Sequence, residues 1–168
     1  MIPMIPERRE ILQIDVHTLT SHTKVDLAED LQIYPEDIKG AYIEQSAKYA
    51  YWATVALQAK FLYDRKKQEV NRQDEYLKKT LYGRLDAEVR AMLEMDGEKI
   101  TEAKVGNAIN IHENYLAEQD KLYKLQDELL ALQEQYQKLE IAKEAMNQRK
   151  DMLISLGAQL RLESSNTD

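Results

Sequence analysis

The last proline of this sequence is Pro35, and only five glycines occur in its 168 residues. A proline ends or kinks a helix, and strand-rich folds need Gly or Pro near most strand ends. Their scarcity after residue 35 argues against an all-β fold and predicts helices longer than those of an ordinary globular domain. Pro35-Glu36-Asp37 reads as a helix start. Proline's fixed φ suits the first helical position, and acids complement the positive end of the helix dipole. From there to Met95 the only glycines are Gly40 and Gly83. Met95-Asp96-Gly97-Glu98-Lys99 is the best turn signal in the chain, and Thr101 is the expected N-cap of the next helix. A second proline-free segment runs from Thr101 to about Leu160. Each arm would hold about 60 residues and measure roughly 90 Å if unbroken. Helical periods on both sides make Asp96-Gly97 a helix–helix turn, with the arms antiparallel and Leu93 close to Val105.

The second arm carries a heptad stripe. Alternating steps of three and four from Ala108 give Ala108, Ile111, Tyr115, Glu118, Leu122, Leu125, Leu129, Leu132, Tyr136, Leu139, Lys143, Met146, Lys150, Leu153, Gly157 and Leu160. About three quarters are apolar or Tyr, the signature of a coiled-coil seam. Breaks at Lys143, Lys150 and Gly157 predict less regular packing near the C-terminus. A flanking stripe of Val105, Ile109, Leu116, Tyr123 and Leu130 widens the apolar face beyond what one neighbour covers.

In the first arm, Ala47, Ala50, Ala53, Ala56 and Ala59 recur every three residues beside Tyr49, Tyr51, Trp52, Val55, Leu57, Phe61 and Leu62. A helix apolar nearly all round is buried on every side. Ala47, Ala50, Trp52, Ala53, Ala56 and Ala59 are therefore expected at a subunit interface, with the N-terminal segment helping to cover them. The alternative is a plain core within one chain. Three segments result: an N-terminal segment 1–34, a helical hairpin 35–162 turning at 95–100, and a disordered polar tail 163–168. Within the first, Ile11 to Val16 reads as a short strand or apolar turn, Ser21-His22-Thr23 as a loop, and Lys24 to Ile33 as a short helix. The expected fold class is all-α: a long antiparallel helical hairpin or coiled coil with a short N-terminal segment, oligomeric.

Little in the sequence suggests catalysis or a cofactor. There is no glycine-rich phosphate loop and no nucleophile elbow. Cysteine is absent, which removes disulfides and thiolate metal sites and suits a reducing cytoplasm. Asp15, His17 and His22 match no metal-binding pattern and read as exposed loop residues, while His112 reads as a packed or interfacial histidine. Carboxylates alternate with Lys and Arg, as on solvated helix faces. No apolar run approaches the roughly 20 residues of a membrane span, and the first ten residues lack a signal peptide's apolar core.

The net charge is −7, yet one stretch is basic. Lys60, Arg65, Lys66, Lys67, Arg72, Lys78, Lys79 and Arg84 stand against Asp64, Glu69, Asp74 and Glu75, eight to four, which leaves −11 for the rest. Phe61, Tyr63, Tyr76 and Tyr82 are interleaved. Cations that follow a phosphate chain, with aromatic rings for bases to stack on, suit single-stranded nucleic acid. The plainer reading is a solvated face balancing acidic neighbours.

Tyr49-Ala50-Tyr51-Trp52-Ala53 leading into this basic stretch, with Ala142-Lys143-Glu144-Ala145-Met146-Asn147-Gln148-Arg149 and Leu153 to Arg161 near the end, resembles the small bacteriophage recombination mediators, the UvsY-like family. The resemblance covers about Ile43 to Glu163. It departs in a longer N-terminus and in overall acidity. It implies helical subunits in a closed ring that binds single-stranded DNA and helps a recombinase displace the single-strand-binding protein. This would be non-enzymatic work in the cytoplasm of an infected bacterium. It carries the DNA-binding role onto Lys60, Arg65, Lys66, Lys67 and Arg72. Lys78, Lys79, Arg84 and Tyr63 join them from the charge and stacking pattern alone, with Arg149 and Lys150 as weaker candidates. Two other readings fit the residues: a structural coiled-coil scaffold or assembly protein, and an acidic DNA mimic that inhibits a nucleic-acid enzyme.

Overall fold

The computed structural model describes residues 13–17 and 22–165, with only the backbone of His17 and His22. The chain is mostly helical. Its elements are β1 (Gln13–His17), β2 (His22–Asp26), α1 (Leu27–Leu31), a single 3-10 turn Pro35–Asp37, α2 (Ile38–Glu75), a π-helical stretch Tyr76–Leu81, α3 (Tyr82–Met95), α4 (Glu102–Asn110) and α5 (Glu113–Ser165). They form two compact units, one of residues 1–62 with 132–168, the other of 63–131.

In the first unit β1 and β2 pair antiparallel, Ile14 opposite Val25 and Asp15 opposite Lys24. Period-2 alternation buries Ile14 and Val16 on one face of the hairpin. The expected loop and helix start at His22 to Asp26 are thus a strand. Its single inward apolar residue, Val25, left little periodic signal. Asp26 ends the strand and caps α1, accepting from the Ala28 and Glu29 amides at 2.9 and 3.3 Å. The core joins Ile14, Val16 and Leu27 to Trp52, Val55, Ala56 and Ala59 of α2 and to Leu139, Ala142 and Met146 of α5. Trp52 is fully buried, and its indole N–H donates to Asp30 Oδ2 at 2.9 Å. That bond satisfies the one polar atom such a side chain brings inside.

Polar groups join the two long helices in this unit. The Tyr42 hydroxyl donates to the Leu153 carbonyl at 2.5 Å, and Gln45 Nε2 to the Met146 carbonyl at 2.6 Å. Gly157 leaves room for Tyr42, since a Cβ there would lie 2.8 Å from its hydroxyl. Arg149, 2% exposed, donates to the Gln32 carbonyl at 3.0 Å, to the Ala41 carbonyl at 3.5 Å and to Gln45 Oε1.

The second unit has an aliphatic interior: Val70, Leu77, Leu81, Leu85 and Val89 against Val105, Ile109 and Leu122. Leu77, Leu81, Leu85 and Val89 are four apart. In an α-helix each such step advances about 40° around the axis, so the row would wind off the core. The wider π turn at Tyr76–Leu81 takes up part of that drift. Asp96-Gly97 closes α3 as a Schellman motif: the Gly97 amide donates to the Glu94 carbonyl and the Glu98 amide to the Leu93 carbonyl. Gly97 has φ 68°, where a side chain would be strained. Thr101 caps α4 by accepting from the Lys104 amide, and Leu93 and Val105 share the aliphatic cluster.

Two expectations for the second arm are corrected. The arm breaks at Ile111–His112, where His112 Nδ1 accepts from the Asn114 amide and so caps α5. Glu163 to Ser165, expected in the tail, continue α5; residues 166–168 lie outside the described set. The stripe also shifts. After Leu139 the buried residues are Ala142, Met146, Arg149 and Leu153, so Ala142 and Arg149 replace Lys143 and Lys150. Two successive three-residue steps at Leu139 move the buried row by one position.

Candidate nucleic-acid interface

The basic residues of the first arm divide by what holds them. Lys60, Arg65, Lys67 and Arg72 are exposed on α2 and make no ion pair among the described residues. At 100° per residue, Lys60 and Lys67 form one row and Arg65 and Arg72 another, about 140° away. Between the rows lie Phe61, Asp64, Gln68 and Asn71. Asp64 weakens the positive potential of this strip without cancelling it. Ala59 and Val70, which face the cores, lie on the other side of the helix.

The other cations are engaged. Lys66 turns inward and meets Glu128 at 2.7 Å and Glu69 at 2.8 Å. Its pKa is raised, first by the hydrogen bond to Glu128 and then by that to Glu69. It therefore fastens α2 to α5 rather than waiting for a phosphate, a correction to its place among the free cations. Beside it Gln73 Nε2 donates to Glu118 at 2.8 Å; Glu118 is held below the usual carboxylate range by Lys121 and then Gln73. Lys78 pairs with Asp74, Lys79 with Glu75 and Arg84 with Glu88, all four residues apart on an exposed surface. Such pairs are worth a few tenths of a kcal/mol, so a phosphate can compete for these cations.

Of the aromatic candidates, Tyr63 is half-buried, while Phe61 and Tyr76 are exposed. Arg149 is no surface cation. Burial lowers its pKa, against the opposing pull of Glu44 and Asp30. The interface candidates also divide. Trp52, Ala56 and Ala59 are buried in the chain's own core, Ala53 is half-buried, and Ala47 and Ala50 are exposed. The apolar stretch 49–62 is therefore covered on one side by β1, α1 and α5, and its first three candidates are corrected from interface to core.

Asp15 stands opposite Lys24 in the hairpin ladder, and the side chains of His17 and His22 fall outside the described residues. No three His, Asp or Glu side chains among the described residues are grouped to hold a metal, and no described helix is long and apolar enough to cross a membrane. In comparisons with protein families, curated proteins and solved structures, nothing matches this chain.

Proposed function

We propose that the chain is a non-enzymatic, single-stranded-DNA-binding protein of the recombination-mediator kind. Its two arms form an antiparallel helical hairpin with a coiled-coil seam, and it works as a homo-oligomer in the cytoplasm. The observation that carries the DNA reading is the set of four exposed cations without ion pairs among the described residues, Lys60, Arg65, Lys67 and Arg72, on one helix of an otherwise acidic chain. Exposed cations lose little by meeting phosphates, because no internal partner has to be given up. Phosphate contacts carry no sequence information, so binding is indifferent to sequence and weakens with salt. Several copies side by side add their fields. A DNA–protein assembly in a form that a recombinase prefers shifts the competition against single-strand-binding protein by that difference in affinity.

The test is a fluorescence-anisotropy titration of labelled oligo-dT and a mixed-sequence strand at low salt, beside light scattering of the same sample. Comparable binding of both strands supports the mediator reading. An oligomer without DNA affinity supports the structural scaffold instead, and a monomer without it the acidic DNA mimic.

A further inference from the structure

The side of α2 turned away from the first core is also patterned. Ile43, Ala47, Ala50, Thr54, Leu57 and Phe61 follow steps of four, three, four, three and four, and all six are exposed. Ile43 is 69%, Leu57 68% and Phe61 54% exposed. This is the a/d spacing of a helix that packs along another helix. Trp52 and Ala59, on the opposite side, are already committed to the core. The helix thus has two apolar sides, one occupied and one open.

We propose that the open side is a two-fold contact with a second copy of this chain, α2 against α2 in opposite directions about a point near Trp52. The order of side chains is self-complementary in that arrangement: Ile43 meets Phe61, Ala47 meets Leu57, and Ala50 meets Thr54. Small residues lie at the centre and large ones at the ends. Two helices crossing at an angle need this gradient, because their axes are closest at the crossing and diverge away from it. Charge agrees. The start of the arm holds Glu36, Asp37 and Glu44 against Lys39 and Lys48, the last already paired with Glu44, and the far end of the stripe and the helix beyond it hold Lys60, Arg65 and Lys67 against Asp64. An antiparallel pair lays the basic end of each copy over the acidic end of the other. A parallel pair sets like charges together.

The contact rests on the homo-oligomer reading for its partner and not on DNA binding. It is isologous and closes as a pair; a ring would need a second, different surface. Phe61 is used in the pair, which leaves Tyr76 as the exposed ring of the basic stretch.

The chain has no cysteine, so single thiols test the geometry cleanly. Ala53→Cys, beside the two-fold, should crosslink to itself across copies with a short bismaleimide. Ile43→Cys should not, since its neighbour is Phe61. Leu57→Glu, at an exposed position, should keep the parent's helical circular dichroism while its mass by light scattering falls at least by half. A parent that runs at 19.6 kDa overturns both this contact and the homo-oligomer reading. An oligomeric parent whose Leu57→Glu variant keeps the full mass overturns the contact alone. Self-crosslinking at Ile43→Cys would establish a parallel pair and overturn the arrangement. A monomeric parent destabilised by Leu57→Glu assigns the stripe to the chain's own residues 1–12 and overturns it too.

Discussion

Arg149, Gln45 and Tyr42 cross between helices inside the first unit, whereas the buried cluster of the second is aliphatic from Val70 to Leu122. The second unit's polar links, Lys66 to Glu128 and Gln73 to Glu118, lie outside that cluster. Both interiors must hold long helices in one register. Aliphatic packing tolerates sliding by a turn at modest cost, because one leucine fits much as another does. A buried guanidinium bonded to Gln32, Ala41 and Gln45 does not, since any shift strands its donors and their acceptors together. The second unit has the Asp96-Gly97 turn to set its register. The first unit has buried polar side chains between its helices instead. The exposed side of α2 differs between the two units as well: an apolar stripe from Ile43 to Phe61 in the first, and Arg65, Lys67 and Arg72 in the second.

The largest expected effect is at Trp52. Trp52→Ala removes the one fully buried aromatic of the first core and the bond to Asp30, and should cost about 3–5 kcal/mol in urea unfolding. A loss under about 1 kcal/mol would mean that this core is not what holds the first unit. Next comes Arg149→Met, which keeps much of the volume but takes the donor away from the Gln32 carbonyl and from Gln45 Oε1. It should cost on the order of 2–3 kcal/mol. If the variant is as stable as the parent, apolar packing serves there equally well and the contrast with the second unit disappears. Gly97→Ala sharpens the other side of the comparison. The left-handed backbone at the turn should make it about 1–2 kcal/mol less stable, read from the unfolding midpoint. An unchanged midpoint would remove the turn as the second unit's register device.

The smallest effect separates two adjacent lysines. Lys66→Met should cost about 0.5 kcal/mol at neutral pH, and Lys67→Met close to nothing. The pKa of Lys66 is raised on folding, so its contribution is fully present below the unfolded lysine value, near 10.5. It is lost as pH rises through the higher folded value. The stability difference between parent and Lys66→Met should therefore hold from about pH 7 to 9 and shrink only above about 10.5. A difference that vanishes by about pH 8 would assign the effect to something other than this ion pair.

Much of the helical architecture was legible because it depends on periods and punctuation. Pro35, Gly97 and Thr101 each act through local backbone chemistry, and each stands where that chemistry placed it. The shift of the buried row at Leu139 was not legible. A heptad read forward from Ala108 reaches Lys143 and Lys150, and only packing shows that Ala142 and Arg149 lie inside. β2 was hidden because one inward valine makes no alternation. For the candidate site, composition located the basic stretch but not its division. Lys66 and Lys67 are equivalent in sequence, and only the position of Glu128, far along the chain, sets them apart. Similarly, the alanine row marked a helix that packs closely without saying which side its own chain would cover.

The cations on α2 are tested most directly by the salt dependence of single-strand binding. Anisotropy titrations over a series of salt concentrations would compare the parent with a variant carrying Lys60→Ala, Arg65→Ala, Lys67→Ala and Arg72→Ala. None of these side chains gives up an ion pair among the described residues, so the variant should fold as the parent does. Its mass is read by light scattering beside the titration, because Lys60, Arg65 and Lys67 also serve the contact between copies. Each phosphate contact on a single strand contributes about 0.7 to the slope of log affinity against log salt. Losing four should flatten that slope by about three and weaken binding to every sequence alike. A folded variant with the parent's slope and affinity, or a parent that binds no single strand at low salt, would contradict a DNA site on this helix.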